Sequence, residues 1–394
     1  MRTASLLHYF ASFADVDLIQ ISDRGTPALL PPNADGTSLV RSQHVIPLPV
    51  HSRTMLARYF RNGRRALTGV PPLVDRLSGL GPAIRGIIGN KRYDIGVVEH
   101  FWCAPYLADI QSACRTTVLD MHNIESILHA RCADISNGLV RLGHTRFARA
   151  YRKLEAELMP RYSLVLAVSE SDRDTALQIA PGSNLAVYPN SVPWIESRQA
   201  PDSDPARPLI VFSGNFEYHP NIDAVRFLVD QIWPEVRKQV AGARLRLVGR
   251  GESFVRRLLP ADGGLALGIE TSGYVPDAMR EIAAADIVVA PLRAGSGTRV
   301  KILEAWAASR PVVATPLAAE GLVLQEEGNI LFASTPVQFA EAIARLASRA
   351  DLRASLGTQG RRTFEVHYTW EAAWRTLDAR PQVSRSEQVS RYTV

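Results

Sequence analysis

Gly295-Ser296-Gly297-Thr298-Arg299-Val300-Lys301-Ile302-Leu303-Glu304-Ala305-Trp306 is the stretch on which the reading of the chain turns. It follows a short apolar run, Ile287 to Ala290, that reads as a buried strand, and its own second half reads as a helix. Two glycines make the turn between them, so the helix begins with free backbone N–H groups and the positive end of its dipole aimed at the turn. Arg299 and Lys301 stand in that first turn, where cations are unfavourable unless an anion is bound. Glu304, about one turn further in, can accept two hydroxyl hydrogen bonds, as a ribose diol would supply. The residues outline a site for a nucleoside diphosphate. The alternative is a basic first turn capped by Ser296 or Thr298.

Outward from this stretch the same alternation repeats. Strands are expected at Leu209 to Phe212, Leu245 to Val248, Ile287 to Ala290, Pro311 to Thr315 and Asn329 to Phe332, with helices between them. Three more glycine turns follow apolar runs: Phe212-Ser213-Gly214-Asn215, Val248-Gly249-Arg250-Gly251 and Ser272-Gly273-Tyr274-Val275. Before them the chain reads as a helix, Leu6 to Ala14, then strands at Val16 to Ile21, Ile95 to Val98, Thr117 to Leu119, Leu164 to Val168 and Ala186 to Tyr188, with a long helix at Gly138 to Met159. Strand and helix in turn imply parallel sheets. The polar, proline-rich Pro201 to Pro208 reads as a linker. With 394 residues the chain is long enough for two domains. The fold class expected is α/β: two doubly wound, Rossmann-like domains facing across a cleft, with ligands at the carboxyl ends of the strands. The divisions are 1–195, 208–367, a returning helix at 368–380 and a mobile tail at 381–394.

Composition narrows the classes. Hydrophobic residues make up 46% and charged residues 21%, which excludes a largely disordered chain. No apolar run reaches the roughly 18 residues of a membrane span. Cys103, Cys114 and Cys132 show no metal-ligand spacing and fit a reduced compartment. The net charge of +6 is unevenly spread: His51 to Arg92 holds Arg53, Arg58, Arg61, Arg64, Arg65, Arg76, Arg85, Lys91 and Arg92 against Asp75 alone. Leu56, Tyr59, Phe60, Leu67 and Val70 interleave with the arginines, which favours an anionic membrane surface over nucleic acid as the partner. A solvated arginine-rich face is the alternative.

These residues resemble the retaining GT-B glycosyltransferases of family four, also called group-one glycosyltransferases. The resemblance rests on Phe212-Ser213-Gly214, Leu247-Val248-Gly249-Arg250-Gly251, Gly273-Tyr274-Val275, Gly295 to Ala305, and Arg310-Pro311-Val312-Val313-Ala314-Thr315. Ala167-Val168-Ser169-Glu170 and Tyr188-Pro189-Asn190 add to it. It implies a glycosyltransferase that moves a sugar, of hexosyltransferase type, from a nucleotide-sugar donor to a saccharide or lipid-linked acceptor with retention of configuration. Catalytic roles fall to His122, Arg299 and Lys301. Donor binding falls to Gly214, Asn215, Gly249, Arg250, Tyr274, Gly295, Ser296, Gly297, Thr298 and Glu304. His122, within Asp120-Met121-His122-Asn123, is expected to face the donor sugar. No metal or other cofactor is implied, the nucleotide-sugar being substrate, and the location implied is cytoplasmic, at the inner face of the membrane. Polysaccharide biosynthesis is the matching role.

Three departures stand out. Ser296 occupies the place, eight before Glu304, where the family often has a second glutamate. The loop Gly214 to Asn221 lacks the family's arginine and lysine, so Arg299 and Lys301 must meet the phosphate charge, aided by Arg250 or Arg293. The family's opening strand and glycine-rich loop are absent, so the chain as written is expected to leave a gap between Val16 to Ile21 and Ile95 to Val98 and to fold or act poorly. Those departures keep two rivals in view, a non-catalytic nucleotide-sugar-binding subunit and a sugar-nucleotide epimerase. Asp202-Ser203-Asp204 imitates a metal-binding Asp-x-Asp but lies in the linker.

Overall fold

The computed structural model describes residues 1–23, 38–48, 55–196, 204–259, 264–297, 300–384 and 392–393. They form two compact units, 1–189 with 374–394, and 190–373. Of the expected linker, Pro201 to Pro208, residues 201–203 lie outside the described residues.

The first unit holds β1 (Asp15–Ser22), β2 (Ser42–Pro47), β3 (Tyr93–Glu99), β4 (Cys114–Asp120), β5 (Leu164–Ala167) and β6 (Leu185–Val187). The second holds β7 (Leu209–Ser213), β8 (Arg244–Val248), β9 (Ile269–Gly273), β10 (Ile287–Ala290), β11 (Val312–Ala314) and β12 (Leu331–Phe332). A last strand, β13 (Tyr392–Thr393), returns to the first unit. The sheet orders are β2-β1-β13-β3-β4-β5-β6 and β12-β11-β10-β7-β8-β9, and every pairing is parallel.

Continuous apolar runs make these sheets. Leu164–Ala167, Leu209–Ser213 and Ile287–Ala290 are buried at every residue, as strands covered on both faces must be. Around the second sheet pack the buried Trp233, Trp306, Phe339 and Phe364. The first unit has its own core, with Phe101, Leu119, Tyr151, Met159 and Val165 among its buried members.

The structure differs from the sequence reading in several places, one of them β9 (Ile269–Gly273), a strand the pattern did not mark. Ser42–Pro47 is a strand the pattern did not mark, because only one of its residues is buried. The last strand of the second sheet shrinks to Leu331–Phe332: the Asn329 side chain accepts from Gln325 N and donates to the Val323 carbonyl, which makes that residue part of a turn. The tail expected to be mobile is held at both of its described ends. Val383 and Ser384 are buried, and Tyr392–Thr393 pairs with β1 on one side and β3 on the other, in the position where a gap was expected.

The opening helix, Arg2–Ala11, buries Leu6, Tyr9 and Phe10. The Trp374 indole donates to the Ser5 carbonyl at 3.1 Å, and the Tyr9 hydroxyl donates to Asp378 at 2.9 Å. The helix Trp370–Asp378 thereby joins the first unit from Trp374 onward.

Asp17, on β1, is a buried charge of this sheet. It accepts from Arg41 Nε at 2.9 Å, Ser42 at 2.7 Å, the Tyr93 hydroxyl at 3.0 Å and Lys91 at 3.2 Å. Burial alone would raise its pKa, but these donors hold it well below the usual carboxylate range. Such a group contributes stability above its unfolded pKa, near about 4, and loses the contribution as pH falls. Asp17→Asn is therefore expected to cost about 1.5–3 kcal/mol at neutral pH, with the difference from the parent narrowing in acid. Urea titrations at several pH values read this directly, and a pH-independent difference contradicts it.

Candidate functional site

The loops that leave the carboxyl ends of β7, β8, β9 and β10 enclose, with the helix Val300–Ala307, a pocket of about 500 Å³. This is the edge at which parallel α/β sheets present ligand sites. Gly214, Asn215, Gly249, Arg250, Tyr274, Gly295, Lys301 and Glu304 line it, together with Ser213, Tyr218, Asn221, Val275 and Ala278.

The ladder of the sheet continues past the strand ends into these loops. Gly214 N donates to the Val248 carbonyl, Phe216 N to Arg250 and Gly249 N to Gly273, all at 2.8–2.9 Å. Gly249 has φ +145°, and a Cβ there would overlap the Gly214 carbonyl oxygen. A side chain at this position must push two loops apart. Gly249→Ala is accordingly expected to cost about 2–5 kcal/mol, read as a lowered urea midpoint; an unchanged midpoint contradicts the contact.

Lys301 and Glu304 lie three residues apart on one helix face. Lys301 Nζ donates to Asn221 Oδ1 at 2.9 Å and stands 4.5 Å from the Phe212 ring centroid. Asn221 in turn donates to the Asn215 carbonyl at 2.8 Å, so the ammonium is tied to the loop after β7. Burial pushes the Glu304 carboxyl up to about 7, against the pull of the Lys301 charge. Among the described residues the Ser213 hydroxyl is buried without a hydrogen-bond partner, a polar atom on the pocket lining that a ligand group can satisfy. The Arg250 guanidinium sits 4.8 Å over the Tyr274 ring, and that ring is 64% exposed, which leaves a flat aromatic surface at the pocket edge.

Ser296 and Gly297 are buried in the turn before the helix, and Gly295 and Gly297 have φ +134° and +74°. Thr298 and Arg299 lie outside the described residues. Arg293, offered above as a helper for phosphate charge, is bound instead to Asp223, with Nη2 2.6 Å from Oδ1, and does not line the pocket. The pattern of glycines and the charged helix marked eight of the lining residues. Ser213, Tyr218 and Asn221 were in the quoted loops, but their roles depend on how the chain turns after β7.

His122 belongs to the first unit, two residues past β4. Its Nε2 lies 2.8 Å from Glu99 Oε2 and 3.4 Å from Asp120 Oδ2. Burial lowers its pKa, but the two carboxylates win and push it up to about 9. Asp120 is fully buried and also takes Arg2 Nε at 2.8 Å. His100, with φ +67°, packs its ring 3.7 Å from that of His122 and stacks on Trp102 at 4.5 Å. Burial, then the His122 charge, push His100 down to about 4. Glu99, Asp120 and His122 bring potential ligand atoms within 4.8 Å of one another, yet they satisfy each other, with Arg2 as counter-charge.

The basic stretch is less free than its sequence implies. Arg64 and Arg65 pair with Asp75, Arg76 with Asp23, Arg85 with Asp109 and Lys91 with Asp17. Arg53 and the side chain of Arg58 lie outside the described residues. On the helix Met55–Thr68, Leu56 and Phe60, one turn apart, are 83% and 79% exposed. Among the described residues no helix is long and apolar enough to cross a membrane.

The chain is similar to known proteins in sequence and in fold. Residues 207–349 match the model for "Glycosyl transferases group 1". The chain is 31% identical over 195 residues to a phosphatidyl-myo-inositol mannosyltransferase of Mycobacterium leprae (strain TN), a match covering 48% of this chain; it spans half the length of that curated relative. Its fold is that of sucrose-phosphate synthase from Thermosynechococcus elongatus, with TM-score 0.71 and 16% identity over 95% of this chain and 90% of that one. Anabaena HepE, solved in complex with UDP and glucose, aligns with TM-score 0.62 and 15% identity over 92% of this chain and 98% of that one. Residues 207–349 thus match a group 1 glycosyl transferase domain, and the chain has the GT-B fold.

Proposed function

We propose that the chain is a glycosyltransferase that binds a nucleoside-diphosphate hexose in the pocket of the second unit and transfers the hexose, with retention, to a saccharide or lipid-linked acceptor. The observation that carries this reading is the pairing of Lys301 and Glu304 on one pocket wall, inside the stretch that matches the group 1 model. The anomeric carbon to phosphate-oxygen bond breaks as the sugar becomes oxocarbenium-like. The new bond to the acceptor oxygen forms on the same face, and the departing diphosphate takes the acceptor proton. Fixed positive charge on the leaving group is then the chief need. Lys301 and the amides of the turn Gly295 to Gly297 supply it, with Arg299 and Thr298 assigned from sequence alone. Glu304 accepts from the ribose hydroxyls and the Arg250 and Tyr274 pair offers a surface for the base; the role of His122 is assigned from the sequence resemblance alone.

Glu304→Gln is expected to weaken binding of a nucleoside-diphosphate hexose by about 1.5–3 kcal/mol, or roughly ten- to a hundredfold. A carboxylate acceptor also makes affinity rise with pH up to the free-state value near 7 and then level off. The glutamine variant should lose that dependence, since a sugar diester of diphosphate stays ionised throughout. Calorimetry with UDP-, ADP- and GDP-hexoses settles the assignment, and equal affinities for parent and variant remove it.

For location we propose a peripheral site on the anionic cytoplasmic leaflet, supported by exposed Leu56 and Phe60 beside Arg61 and Arg64. Each arginine near the surface is worth about 1 kcal/mol, screened by salt. Pelleting with phosphatidylserine vesicles should exceed that with phosphatidylcholine vesicles, fade as salt rises, and drop in a Leu56→Ser/Phe60→Ser variant. Equal pelleting with both lipids returns the patch to a solvated face.

A further inference from the structure

The donor pocket takes up the carboxyl edge of the second sheet, and the opposite edge carries a recess of its own. Beside the amino ends of β7, β8 and β9 lies a space of about 360 Å³, within the second unit. Arg244, on its wall, is the first residue of β8, and Val248, the last, lines the donor pocket. At about 3.3 Å per residue the two sites stand about 13 Å apart along that strand.

Three arginines line the recess: Arg207, just before β7, Arg237, on the helix Trp233–Gln239, and Arg244. Among the described residues none of them pairs with a carboxylate. Glu270 is the sole acid among the described lining residues, and Arg246 engages it through Nε at 3.1 Å and Nη2 at 2.9 Å. The recess thus gathers positive charge that its own carboxylate does not neutralise, which costs free energy unless an anion enters.

Two of the arginines are seated against glycines. Arg237 Nη1 donates to the Ala243 carbonyl at 3.1 Å and to the Leu267 carbonyl at 3.3 Å. A Cβ on Gly268, which has φ +70°, would stand 2.7 Å from that same nitrogen. At Gly242 a Cβ would meet Arg207 Cγ at 3.1 Å and overlap the Ala206 carbonyl oxygen. The room these glycines leave is where the side chains fold. Arg244 adds an independent observation: among the described residues its Nε is buried without a hydrogen-bond partner. A buried cationic donor left unpaired is costly, and a ligand oxygen satisfies it.

We infer that this recess is a second anion site, which takes a small soluble molecule bearing a phosphate or diphosphate group. Guanidinium groups meet phosphoryl oxygens with paired, parallel hydrogen bonds, and a multiply charged anion answers several cations at once. The volume suits a small molecule. The inference stands apart from the donor reading, because the recess shares no lining residue with the pocket of Lys301 and Glu304.

Calorimetry of the full chain with inorganic pyrophosphate tests it. Binding is expected in the parent and should weaken about tenfold or more in Arg244→Gln and in Arg207→Gln. It should persist in Lys301→Gln, which removes a cation of the donor pocket, and fade as salt rises. Pyrophosphate should likewise raise the melting temperature of the parent and of Lys301→Gln more than that of either arginine variant. Arg207 is exposed, so Arg207→Gln decides the matter where Arg244→Gln does not fold. Weakening in either folded arginine variant, beside binding kept in Lys301→Gln, supports the inference. No binding by the parent, parental affinity in both arginine variants, or loss of all binding in Lys301→Gln overturns it.

Discussion

The approach of Gly249 to the Gly214 carbonyl fixes the site from which the rest of the function is argued. Because neither residue carries a side chain, the loop after β8 can lie against the loop after β7, and hydrogen bonds from Gly214, Gly249 and Phe216 carry the sheet ladder beyond the strands. The loops become rigid extensions of a buried parallel sheet rather than free connections. A pocket wall built in this way is in place before any ligand arrives, and that matters for a reaction whose catalysis is largely fixed charge.

Charge is then placed against that wall from the helix Val300–Ala307. Lys301 is oriented by Asn221 and by the face of Phe212, so its ammonium lies over the loop that lacks cations of its own. Glu304 shares the same helix face, and burial makes its carboxyl reluctant to ionise. A hydroxyl-bearing, phosphate-bearing ligand answers both needs at once: anion to the ammonium, diol to the carboxylate.

Much of this was legible in the residues. Apolar runs of four or five marked the parallel strands, and glycine before a helix marked the turns, since both follow from local physics. What stayed hidden was long-range. Nothing near Tyr392 and Thr393 says that they enter a sheet between Val16 and Ile95, and the tail therefore read as mobile. The cations of 51–92 read as a strongly basic run because Asp17, Asp23 and Asp109, which neutralise Lys91, Arg76 and Arg85, are distant in sequence. The ring of His100 against His122 needs a backbone angle that no propensity for histidine foretells. Asn221 escaped for a similar reason: it acts by fixing Lys301, eighty residues away in sequence.

A crystal structure of the chain with a nucleoside diphosphate bound bears most directly on the central claim. The account predicts the ribose hydroxyls on the Glu304 carboxylate and a phosphate oxygen within hydrogen-bond reach of Lys301 Nζ, with the loops after β7 and β8 unmoved. A nucleotide seated away from the helix Val300–Ala307, or one that reaches it only after Gly214 and Gly249 separate, would contradict it.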